Sequence, residues 1–115
     1  IVDDEPALGE IIRRRMSTEC DVEVVTEARQ ALARLARADA PSYDLVLCDL
    51  MMPEMTGMEL HALVARERPG LERRFVFMTG GAFTPGASQF LAEVKNQCLE
   101  KPFDLEVVRA LLGRT

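Results

Sequence analysis

The sequence predicts a doubly wound α/β domain, with five alternations of strand and helix whose strands form one parallel sheet covered on both faces. Three observations predict it. The runs Leu45-Val46-Leu47-Cys48 and Phe75-Val76-Phe77-Met78 are apolar at every position, as strands buried on both faces are. Between such runs, apolar residues recur at helical spacing. Pro6, Thr84-Pro85 and Asp104 then stand where helices start, as first-turn prolines or caps. Parallel strands need right-handed crossovers, and these carry the helices to both sides of the sheet.

Taken in order, Ile1-Val2 is the end of a first strand, followed by a helix with Leu8, Ile11 and Ile12 on one face. Val22, Val24 and Val25 form a second short strand, and Thr26 is placed to cap a helix bearing Ala28, Ala31, Leu32 and Leu35. The third strand, Leu45–Cys48, leads through Pro53 and Gly57 into a helix with Leu60, Leu63 and Val64 that stops near Pro69-Gly70. The fourth, Phe75–Met78, passes Gly80-Gly81 to a helix with Phe90, Leu91 and Val94. Cys98-Leu99 is a brief fifth strand, and Asp104 is placed to cap a last helix with Val107, Val108, Leu111 and Leu112. With two residues before the first acids, the first strand is expected to be truncated, its start lying upstream of Ile1.

A chain of 115 residues suits a single domain, 1–115, because two cores would each be too small. Its 48% hydrophobic and 29% charged residues are those of an ordinary globule able to bury a core. A net charge of -5, with Arg13, Arg14 and Arg15 as the one basic run, is poor material for a row of phosphates and disfavours direct nucleic-acid binding. Cys20, Cys48 and Cys98 have neither metal spacing nor an even count, so they are expected to be reduced thiols of a cytoplasmic protein. No apolar run is long enough to cross a membrane, so no membrane contact by this domain is expected.

In an open parallel sheet, ligands bind beyond the carboxyl ends of the strands. There the sequence places Asp3 and Asp4 after the first strand, Asp49 after the third, Thr79 after the fourth and Lys101 after the fifth. Each alone has a structural explanation, as a cap, a strand end or a solvated lysine. Together they bring three carboxylates into one crevice, where two such charges at about 4 Å repel by about 4 kcal/mol at an effective dielectric of 20. A hard cation with oxygen ligands, magnesium above all, relieves that repulsion, and Lys101 adds a fixed positive charge. A carboxylate beside two cations can attack phosphorus, because they offset the charge developing on the transferring group.

Val2-Asp3-Asp4-Glu5, Asp49-Leu50-Met51-Met52-Pro53 through Gly57, Thr79-Gly80 and Lys101-Pro102-Phe103 resemble the receiver domain family of two-component signalling across essentially the whole chain. The resemblance implies a flavodoxin-like five-stranded sheet of order 2-1-3-4-5. It implies that Asp49 is the phosphoacceptor, that Asp4 and Asp49 ligate Mg2+ with the carbonyl of Met51, and that Asp3 acts mainly through a metal-bound water. Thr79 and Lys101 would contact phosphoryl oxygens, with Gly80 as the small neighbour of Thr79. The implied partner is a histidine kinase or histidine phosphotransfer domain. The implied activity is self-catalysed phosphoryl transfer and aspartyl-phosphate hydrolysis, not conventional turnover. One departure is Cys98, which stands where the family usually has an aromatic residue three positions before its lysine. The stretches Gly80–Pro85 and Cys98–Phe103 are similar to receivers fused to hybrid sensor histidine kinases; a stand-alone response regulator is the other setting.

An aspartate-nucleophile phosphatase of the haloacid dehalogenase type is the enzymatic alternative, but it needs a second acid two residues after the nucleophile, where this chain has Met51. An unphosphorylatable interaction module would be expected to lack one of the key residues, and none is missing. His61, without a second ligand at metal spacing, is expected on the surface. Met51, Met52, Met55 and Met58 are expected to be flexible filling around the site. Arg13–Arg15 are expected to form a solvated helix face.

Overall fold

The computed structural model describes residues 1–39, 42–81 and 84–113. Five α-helices, α1 (Pro6–Met16), α2 (Ala28–Leu35), α3 (Gly57–Glu67), α4 (Pro85–Glu93) and α5 (Leu105–Leu111), and one 3-10 turn (Leu71–Arg74) surround a parallel sheet. Its strands are β1 (Val46–Asp49), β2 (Phe75–Thr79) and β3 (Cys98–Glu100), in the order β1-β2-β3. Val46 pairs with Phe75 and Asp49 with Met78, while Phe77 pairs with Cys98 and Thr79 with Glu100. The strand ends are thereby aligned along one edge.

The alternation along β1 and β2 divides the core in two. Val46, Cys48, Phe75 and Phe77 face a cluster that includes Ala28, Ala31 and Leu35 of α2, Leu60 and Val64 of α3, and Ala87 of α4. Leu47, Val76 and Met78 face a second cluster with Ile12 and Met16 of α1 and Val108 of α5. Strands apolar at every position are the sequence's answer to having helices on both faces. Each large apolar side chain so buried contributes about 1.5–3 kcal/mol.

Among the described residues regular pairing is confined to three strands where five were expected. The two remaining segments are reduced to single bridges, Val2 with Val25 and Val2 with Cys48, both parallel. The Val2 N–H donates to the Leu47 carbonyl at 2.7 Å, the Asp49 N–H to that of Val2 at 2.8 Å and the Asp3 N–H to that of Val25 at 3.1 Å. Of Val22, Val24 and Val25 only the last is buried.

Local chemistry explains the helix starts. Thr84 caps α4, its Oγ1 accepting the Ala87 N–H at 3.1 Å, and Pro85 opens the helix. Thr56 and Glu59 form a capping box at the start of α3, the Glu59 N–H reaching Thr56 Oγ1 at 3.1 Å and the Thr56 N–H reaching Glu59 Oε1 at 3.2 Å. Thr26 does not cap α2, because the helix begins one residue later than expected and Glu27 occupies the cap position. Asp104 stands at the cap of α5, yet its side chain accepts no capping bond. Ile11 is half exposed, and the buried face of α1 is formed by Gly9, Ile12 and Met16 instead.

The expectation for His61 is overturned. It is buried, with its ring 5.6 Å from those of Phe75 and Phe77 and 5.3 Å from that of Phe90. Gly57, Leu60, His61 and Val64 make up the buried stripe of α3 at i, i+3, i+4 and i+7, so helical geometry carries the imidazole inward. Its Nε2 has no hydrogen-bond partner among the described residues, and burial holds its pKa below the ordinary value. Arg13, Arg14 and Arg15 are exposed, as expected.

Candidate functional site

The functional residues are built from strand ends. Asp3 follows the Val2 bridge and is 1% exposed. Burying a carboxylate requires partners, and Asp3 has them: Oδ1 accepts the Glu5 N–H at 3.0 Å and Oδ2 accepts from Lys101 Nζ at 2.8 Å. Asp49 is the last residue of β1, with Oδ2 at 3.7 Å from the same ammonium. Asp4 is exposed beside them, and oxygens of Asp3, Asp4 and Asp49 all lie within 4.8 Å of one another. Thr79 ends β2, its Oγ1 accepting the Gly81 N–H at 3.1 Å. The Lys101 N–H donates to the Thr79 carbonyl at 2.8 Å, continuing the β2–β3 pairing one residue past the strand, and the Lys101–Pro102 peptide that follows is cis.

The structure thus brings Asp3, Asp4, Asp49 and Lys101 together and sets Thr79 at the end of the neighbouring strand. Met51 lies two residues past Asp49 with its side chain exposed, and Gly80 is exposed with open space where a Cβ would project. Met52 is buried and Met55 and Met58 pack on the core, so these methionines fill space as expected. Ala82 and Phe83, within the stretch Gly80–Pro85, lie outside the described residues. Two features escaped sequence reasoning. Glu54 takes φ 66° in the loop after β1 and approaches Arg29 at 3.9 Å, an exposed pair of little energetic weight. Gly57 packs directly on the backbone of Asp49, a contact that helix periodicity alone does not reveal.

The charges are unbalanced. Burial, then the charge of Asp3 and more weakly that of Asp4, push the Asp49 carboxyl up to about 6 against the opposing pull of Lys101. Burial pulls the Lys101 ammonium down, but its hydrogen bond to Asp3 and the charges of Asp49 and Asp3 outweigh this and hold it above the ordinary value. Among the described residues one ammonium, paired with Asp3 and Asp49, stands beside a cluster of three carboxylates, so the cluster has a deficit of positive charge that a divalent cation fits, with oxygen donors of the kind magnesium prefers. Beside the site, burial and the Asp49 charge raise the Cys48 thiol to about 12, leaving it inert. A cavity of about 660 Å³ lies at the opposite end of β1, lined by Met16, Val22, Leu45 and Val46, away from these acids.

The family model described as response regulator receiver domain matches residues 1–112. The chain belongs to the response regulator receiver domain family. This receiver domain is 30% identical over 119 residues to a probable transcriptional regulatory protein, TcrX, of Mycobacterium tuberculosis, covering 100% of this chain and 49% of that protein. It is 30% identical to the transcriptional regulatory protein BtsR of Escherichia coli, covering 99% of this chain and 46% of the relative. The receiver domain therefore spans about half the length of these curated relatives. Among solved structures it resembles a CheY-like receiver domain protein of Methanospirillum hungatei, with a TM-score of 0.77, 25% identity and coverage of 97% and 90% of the two chains. It also shares its fold with the receiver domain of the sensor histidine kinase PA1611 of Pseudomonas aeruginosa, solved with a magnesium ion in the active site cleft, at a TM-score of 0.79, 23% identity and coverage of 98% and 91%. The match to receivers leaves the haloacid dehalogenase alternative without support. Among the described residues no helix is long and apolar enough to cross a membrane.

Proposed function

We propose that this receiver domain accepts a phosphoryl group on Asp49 from the phosphohistidine of a histidine kinase or histidine phosphotransfer domain, and that Mg2+ completes the site. The observation that carries the proposal is the cluster of Asp3, Asp4 and Asp49 within 4.8 Å with one ammonium at 2.8 and 3.7 Å. Asp4 and Asp49 would hold the metal directly with the carbonyl of Met51, and Asp3 through a water. When bound, the metal supplies positive charge next to the transferring group.

An oxygen of Asp49 attacks phosphorus, a P–O bond forms, and the P–N bond to the imidazole breaks with its electron pair staying on nitrogen. Lys101 turns from the acids toward the phosphoryl oxygens, and Thr79 Oγ1 donates to another. That new anion, with its added acceptors, draws the loop after β2 toward Asp49 and changes the surface offered to partners. Cys98 is too small to follow the vacated volume as an aromatic ring would, so the surface of α4 and β3 is expected to change less than the active-site edge and α1. Hydrolysis of the aspartyl phosphate by the same residues resets the domain without conventional turnover.

The same reading takes the Val25, Val2, β1, β2, β3 sequence of neighbours as the 2-1-3-4-5 order in reduced form, in one domain over 1–115. It also places the domain in the cytoplasm, within a hybrid sensor histidine kinase or a response regulator. Direct contact with nucleic acid falls to other parts of the whole protein, as the likeness to transcriptional regulators suggests. The test is incubation with acetyl phosphate and magnesium. Wild type is expected to take up one acid-stable, hydroxylamine-labile phosphoryl group and Asp49→Asn none; equal uptake by the variant would reject Asp49 as acceptor.

A further inference from the structure

We infer that Gly57 is a positioning residue for Asp49: the first residue of α3 must lack a side chain because the helix start packs against the backbone that carries the proposed phosphoacceptor. The inference rests on the function proposed above for Asp49 but is carried by a different contact. A Cβ built on Gly57 falls on the carbonyl oxygen of Asp49, inside any real contact distance, and lies 3.2 Å from both Leu50 Cα and Cys48 Sγ. The nearest of these atoms is main chain in a buried strand, so it cannot rotate away as the end of a flexible side chain would.

The packing is held from both sides. The Gly57 N–H donates to the Leu50 carbonyl at 2.9 Å, and the capping box of Thr56 and Glu59 fixes the helix start. Opposite, the Asp49 N–H is bonded to Val2 at 2.8 Å and the Leu50 N–H to Met78 at 2.9 Å. A methyl group at position 57 therefore drives a wedge between α3 and the end of β1. Relief needs a displacement on the order of 1 Å, the size of misplacement that lowers rates about 100-fold when reacting groups must be aligned. The atoms nearest the added Cβ belong to residues 48–50 and not to Asp3 or Lys101, so the 2.8 Å pair of those two is expected to survive. The consequence is specific: Asp49 shifts relative to Asp3 and Asp4 while the rest of the site stays in place.

The experiment compares wild type, Gly57→Ala and Gly86→Ala, the last a matched change in α4 whose Cβ would meet nothing closer than 4.0 Å. Three quantities are measured: magnesium affinity by amide NMR titration, Asp49 and Leu50 amide shifts without metal, and the acetyl phosphate rate split into its maximum and half-saturating concentration. For Gly57→Ala the expected result is about tenfold weaker magnesium binding, a 10- to 100-fold lower maximal rate with little change in half-saturation, and metal-free shifts concentrated at residues 48–51. Gly86→Ala should match wild type. A folded Gly57→Ala with wild-type affinity, rate and shifts overturns the inference. If Gly57→Ala shows no cooperative melt, Thr56→Ala, which loosens the same helix start, decides: a three- to tenfold lower maximal rate upholds it and a wild-type rate overturns it. If wild type itself takes up no phosphoryl group, the proposed function fails, and the magnesium titration and metal-free shifts of these variants still decide the role of Gly57.

Discussion

Asp3 and His61 are both buried polar side chains, and the protein treats them in opposite ways. Asp3 is 1% exposed and has both oxygens engaged, one by the Glu5 N–H and one by Lys101. His61 sits among Phe75, Phe77 and Phe90 with Nε2 unpartnered. The first is a charge retained by pairing, the second a base kept neutral by its surroundings. At the acid cluster the pairing is incomplete, since Asp49 shares the ammonium that Asp3 already holds and Asp4 adds a third carboxylate beside them, and that unmatched charge is what gives the edge its chemistry. At the aromatic cluster desolvation dominates, and a hydrogen bond with Asn96 and the charge of Glu72 offset it only in part.

Breaking the pairing should give the largest effect. Lys101→Ala leaves the Asp3 carboxylate buried without its counter-charge, and loss of one partner of a buried pair costs about 3–5 kcal/mol. Because the lysine side chain is 26% exposed, the lower end of that range is expected in metal-free urea unfolding at neutral pH. Magnesium should still bind and recover part of the loss. An unchanged unfolding midpoint would mean that Asp3 has another source of compensation.

Next in size is the removal of the unmatched charge itself. A folded-state value of about 6 for Asp49 against an ordinary 3.8 corresponds to about 3 kcal/mol. The sign follows from the upward direction: the contribution is fully stabilising below about pH 3.8 and is lost as pH rises through about 6. Without metal, Asp49→Asn should therefore be more stable than wild type at pH 7, by up to about 3 kcal/mol, with the gap closing toward pH 4. A pH-independent gap between the two melting curves would contradict the assigned cause. Asp4→Ala should be smaller, since Asp4 is exposed: magnesium affinity is expected to fall at least tenfold, about 1.4 kcal/mol, with little change in metal-free stability. Unaltered magnesium titration would put the cation elsewhere.

The smallest effect belongs to the neutral partner of the comparison. His61→Leu removes an unpartnered nitrogen at similar volume but also a hydrogen bond with Asn96, so the two effects offset and stability at pH 7 should change by less than about 1 kcal/mol. Burial lowers the folded-state pKa of His61, so its contribution is complete above about pH 6.5 and declines as pH falls below that value. The two substitutions thus alter the pH dependence of stability with opposite sign. Wild-type acid sensitivity in His61→Leu would remove His61 as its source.

Much of this was legible in the sequence because the fold writes its chemistry at strand ends. Continuous apolar runs located β1 and β2, and the polar residues just past them, Asp49 and Thr79, became the site. The first two strands were legible as apolar segments but not as regular strands, because hydrogen bonding there reduces to the Val2 bridges. A lone histidine without a second metal ligand suits a surface, and the inward position of His61 is legible only from the stripe it shares with Gly57, Leu60 and Val64. Gly57 itself showed only as part of a motif. Why it must be glycine depends on how closely α3 approaches Asp49, a distance that no one-dimensional pattern encodes.

The pair between Lys101 and Asp3 joins residues 98 positions apart. A nascent chain leaving the ribosome would expose Asp3, Asp4 and Asp49 well before the lysine that answers them, and a contact of such long range forms only after the intervening helices and strands have closed the loop. The acid edge is thus charge-compensated by its own lysine only after nearly all of the domain has been made and folded.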